Sequence, residues 1–122
     1  MLLRIFALAF MFSSTLIYAS DKDKQEQVET LRNIEFCRIV ASQFEPNELS
    51  KWESLKQSYF DARRGAPAKS TQWTDPKKIM WGIKSAENDA TRRLSSLPAE
   101  ELYVHFTCYE KLEKLQKSKP WQ

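Results

Sequence analysis

Two cysteines and one histidine are the side chains of this 122-residue chain best suited to metal or redox chemistry: Cys37, Cys108 and His105. Zinc sites need four ligands at recognisable spacings, and neither Cys-x-x-Cys nor a second histidine is present. The covalent haem signature Cys-x-x-Cys-His is also missing. A non-covalent haem would need a second axial ligand beside His105, and Met80 is the one methionine beyond the N-terminal segment. The simpler reading of an even cysteine pair in an oxidising compartment is a disulfide between Cys37 and Cys108. It would close a loop of about 72 residues, a constraint of roughly 4 kcal/mol by chain-entropy arithmetic. No metal and no cofactor are expected, and His105 reads as a half-buried neighbour of the disulfide.

Catalytic patterns are scarce. Gly-x-Ser-x-Gly is absent, and no glycine-rich loop could cradle phosphates. Glu100 and Glu101 could serve as an acid pair, but at a helix start they complement the helix dipole. The chain is not expected to be an enzyme.

The stretch from Arg63 to Lys84 is more suggestive of binding. Arg63, Arg64, Lys69, Lys77, Lys78 and Lys84 face the single carboxylate Asp75, with Trp73 in a loop and Trp81 beside an apolar stripe. Tryptophan among cations is a common interface anchor. The expected partner is acidic: another protein, or an anionic lipid or polymer of the cell envelope. The alternative is that Trp73 folds over the end of the domain and the lysines are simply solvated.

These residues must be positioned by helices. Val28, Leu31, Ile34, Cys37, Val40, Ala41 and Phe44 recur at three- and four-residue steps, with Glu26, Glu29, Arg32, Glu35 and Arg38 on the other face. Ser20–Gln27 reads as a frayed approach to this first helix. The second carries Leu49, Trp52, Leu55, Tyr59 and Phe60 and ends at Arg63-Arg64-Gly65, with glycine expected in the left-handed conformation. It starts either at Pro46 or at a Ser50/Glu53 capping box. Residues 65–75 read as a loop. Asp75-Pro76 opens a third helix striped by Ile79, Ile83, Ala86, Ala90, Leu94 and Leu97, with Gly82 inside it allowing close packing or a bend. A fourth follows Ser96-Leu97-Pro98 and carries Leu102, His105, Phe106, Cys108, Tyr109, Leu112 and Leu115 on one face. Pro120-Trp121-Gln122 reads as a tail. The expected fold is all-α: a small four-helix up-down bundle with one disulfide linking the first and last helices.

The N-terminus places the chain in a compartment. Met1-Leu2-Leu3-Arg4 is followed by an uncharged run from Ile5 to Ala19 and then by Ser20-Asp21-Lys22. This is the layout of a secretory signal peptide cut after Ala19 or Ser20. The apolar run is about fifteen residues, short of the roughly 20 that span a bilayer. The expected organisation is a signal peptide over 1–19 and one helical domain over 20–122, working in the periplasm or outside the cell. The net charge of +3 is too small for a nucleic-acid binder, which needs a strongly basic domain. The expectation is an exported binding protein of the inhibitor, immunity or secretion-accessory kind, with an envelope-lipid or polymer binder as the alternative.

Overall fold

The computed structural model describes the backbone of residues 2–65 and 73–121, and side chains from Lys22 onward. It is all-helical: α1 (Leu2–Ala41), α2 (Pro46–Arg64), α3 (Pro76–Leu94), α4 (Ala99–His105) and α5 (Cys108–Lys117). Among the described residues no helix is long and apolar enough to cross a membrane.

Local chemistry accounts for the helix boundaries. Glu45 is the N-cap of α2, its carboxylate accepting from Asn47 N at 3.2 Å, with Pro46 as the first helical residue. That settles the start of this helix in favour of the proline, whose fixed φ suits a first turn and whose missing N–H costs nothing there. Asp75 caps α3 in the same way, accepting from Lys77 N at 2.9 Å. Gly65 corrects the expectation of a left-handed C-cap: its φ is −78°, and its N–H closes the last turn on Asp61 O.

α2 and α3 both pack against α1. Lys56 meets Glu35 and Tyr59 meets Gln27, so α2 returns antiparallel to α1. Thr74 N donates to Gln27, and Gly82 lies against Val28 and Arg32, so α3 runs parallel to α1. α1 sits between α2 and α3 and packs most closely on α3. A Cβ at position 82 would lie 3.0 Å from Val28 Cγ1, so the glycine serves close packing.

The described residues form five helices where four were expected. The last one divides at Phe106-Thr107, because Thr107 adopts the left-handed conformation at φ 53°. That conformation costs a β-branched residue roughly 1–2 kcal/mol. Contacts on both sides of the break hold it. Phe106 packs on Phe36 at 4.7 Å between ring centroids, with the Arg93 guanidinium 4.8 Å over its ring. Cys108 begins α5 joined to Cys37, with Cα atoms 5.8 Å apart and 71 positions apart in sequence. The bridge therefore links the first and last helices.

The core draws on every helix, with Leu31, Ile34 and Val40 from α1, Trp52 and Tyr59 from α2, Ile79 and Ile83 from α3, Tyr103 from α4 and Leu112 from α5. Trp52 Nε1 donates to Tyr103 Oη at 2.7 Å inside it. Burial pushes the Tyr103 hydroxyl up to about 12 in spite of that hydrogen bond, so it stays neutral. Trp121 corrects the reading of the C-terminus as a tail. Its ring is buried, stands edge-on to Tyr59 at 5.6 Å, and donates from Nε1 to Ser58 Oγ at 3.2 Å.

Candidate functional site

The outer face of α3 is the best-formed candidate. Ile79, Ile83, Ala86 and Ala90 turn into the core. At 100° per residue the opposite face then carries Lys77, Trp81, Lys84 and Asn88, with Met80 on its edge, and all five are exposed. Trp81 is 66% exposed and Met80 58%. Met80, Trp81, Ile83, Lys84, Ser85, Glu87 and Asn88 line an open groove of about 740 Å³. An apolar strip thus runs between two ammonium groups on a rigid, capped helix.

The other residues singled out in the sequence lie elsewhere. Arg63 is half-buried at the end of α2 and donates from Nη1 to Tyr59 Oη at 3.3 Å. Arg64 is paired with Asp61 on the same helix. Trp73 packs edge-on against Tyr59 at 5.7 Å and extends the core, and its buried Nε1 has no hydrogen-bond partner among the described residues. Lys78 is exposed on the flank of α3, beside a recess shared with Lys24, Gln25, Val28 and Thr74. Lys69 lies outside the described residues. The structure therefore groups Lys77, Trp81 and Lys84, and places Arg63, Arg64 and Trp73 at the end of α2 and in the core.

Met80 is the member of this face that sequence reasoning had weighed only as a metal ligand. Its position one residue past Ile79, off the buried stripe, was the available signal. His105 is exposed and lines a groove on α4, so Met80 and His105 face different grooves. Among the described residues no cluster of three His, Cys, Asp or Glu side chains could hold a metal ion.

A second surface was not foreseen. Leu97, Pro98, Glu100, Glu101, Leu102, Val104 and His105 line a groove of about 700 Å³ along α4. Leu97, expected on the buried stripe of the third helix, lies beyond the end of α3 at Leu94 and is 46% exposed. Val104 is 60% exposed.

The charged face of α1 holds a buried acid. Glu35 is fully buried, its carboxylate taken by Arg38 on the same helix and by Lys56 Nζ at 2.9 Å from α2. Burial pushes this carboxyl up, but hydrogen bonds and charge from Arg38 and Lys56 outweigh it, and it sits below the usual carboxylate range. Each of its oxygens has a cationic partner, which makes it a cross-link between helices.

No family model, curated protein or solved structure matches this chain.

Proposed function

We propose that this chain is a small exported binding protein that docks onto an acidic surface of another protein through the outer face of α3. The observation that carries this reading is Trp81, two-thirds exposed beside Met80 and flanked by Lys77 and Lys84. Tryptophan is enriched among the residues that dominate binding energy, and flanking charge steers encounter and fixes register. The face is carried on a capped helix packed against α1, so little order has to be imposed on binding. Export is supported by the leader-like N-terminus and by the disulfide, which persists in oxidising compartments. Such a preformed face would suit an inhibitor of a secreted enzyme, an immunity-type protein against a toxin, or an accessory part of a secretion machine. The proposed role is non-catalytic.

Capture from envelope and secreted fractions tests it, with three baits side by side: the wild-type chain, Trp81→Ala, and Lys77→Glu/Lys84→Glu. The expected result is a stoichiometric protein that the wild type retains and salt weakens, with affinity falling about tenfold or more in each variant. Equal retention by all three baits removes the α3 face from the reading. Loss of protein partners together with co-sedimentation on anionic vesicles replaces the protein partner with a lipid surface.

A further inference from the structure

We infer that a second copy of this chain occupies the α4 groove, presenting its α3 outer face to it. This inference rests on the reading of the α3 face as a binding surface and names a partner for it. The α4 groove is lined by Leu97, Pro98, Leu102 and Val104 together with Glu100, Glu101 and His105. Such a groove suits an apolar side chain flanked by cations. The chain itself displays that ligand: Trp81 and Met80, between Lys77 and Lys84.

Charge complementarity selects this occupant. Glu100 and Glu101 take part in no ion pair among the described residues, and neither do Lys77 and Lys84. All four are exposed. Lys77 and Lys84 are seven residues apart, about 10 Å along the helix axis, which brackets one large side chain. The tryptophan would enter the groove while the ammonium groups meet the carboxylates at its rim. A basic α3 face repels another α3 face, and an acidic α4 face repels another α4 face. The contact therefore sets α3 of one molecule on α4 of its neighbour, either reciprocally about a two-fold axis or head to tail. Two or three helical turns on each side make an interface in the weak class, below about 1,200 Å². Association then develops with concentration and falls with salt.

Sedimentation velocity on the disulfide-bonded protein over roughly 5 to 500 μM reads this range of weak association. The expected result is a mass that rises with concentration in low salt. Lys84→Glu and Glu101→Lys should each move the association midpoint upward by about tenfold. An equimolar mixture of the two variants should recover association, because each contact then joins opposite charges again. Both positions are exposed, and an unchanged far-ultraviolet circular dichroism spectrum verifies folding. A monomer at every concentration overturns the proposal, as does association that neither variant weakens. Failure here, with capture of a foreign protein still abolished by Trp81→Ala, leaves the proposed function standing and removes only the second copy.

Discussion

At the scale of single residues, the most consequential side chain is Glu35. Its carboxylate is buried between α1 and α2 with Arg38 on one oxygen and Lys56 on the other. Its folded pKa lies below the ordinary value of 4.5. The unfolded chain therefore takes up this proton first as pH falls. The pair contributes fully above that ordinary value and loses its contribution as pH drops through the lowered one. Lys56→Met should cost about 2 kcal/mol at pH 7, less than the usual cost of a broken buried pair because Arg38 stays in place and Lys56 is partly exposed. The cost should shrink at a second, acidic pH low enough to protonate the carboxyl. Urea denaturation at the two pH values checks it, and an equal cost at both would mean that Lys56 acts by packing alone. The role of Glu35 was not legible in the sequence. Helical periodicity sorts residues into an apolar and a polar face, but α1 has neighbours on more than one side, so part of its charged face meets α2.

At the scale of elements, what the sequence made legible and what it hid divide along local and tertiary causes. The apolar stripes, Pro46, the Asp75-Pro76 cap and the cysteine pair are local or counting signals, and the helices and disulfide follow from them. The break at Thr107 has no glycine or proline to announce it, because packing of Phe106 and Cys108 imposes it. Trp121 was hidden for the same reason, since three terminal residues carry no period. Gly82 shows how a local feature gains meaning from packing. With Ala86 and Ala90 it forms a narrow ridge at four-residue spacing, which lets α3 lie close to α1. Gly82→Leu should destabilise the domain by about 1–3 kcal/mol through overpacking against Val28 and Arg32. Chemical denaturation measures this. A neutral or stabilising effect would show that the two helices can separate freely and that higher helix propensity dominates.

At the scale of the whole molecule, the candidate site was half legible. The excess of cations around two tryptophans was visible in sequence, but only tertiary packing turns Trp73 inward and leaves Trp81 outside. The same packing leaves the last segment unequally anchored. All five helices contribute to one core, but α5 packs more closely on α4 and α2 than on α1. Beyond the bridge, a groove of about 490 Å³ opens between the two, lined by Glu26, Glu29 and Asn33 on one side and Lys111 and Lys114 on the other. The disulfide at the top of α5 and the Trp121–Ser58 contact at its bottom then hold the segment in place. Removing the bridge with Cys37→Ala/Cys108→Ala should therefore act unevenly. The constraint is worth up to roughly 4 kcal/mol, about a thousandfold in exchange protection. Amide hydrogen exchange should accelerate first and most in α5, while α1 and α3 keep most of their protection. Uniform acceleration in every helix would show instead that α5 unfolds only with the whole domain, and that the bridge stabilises a single cooperative unit.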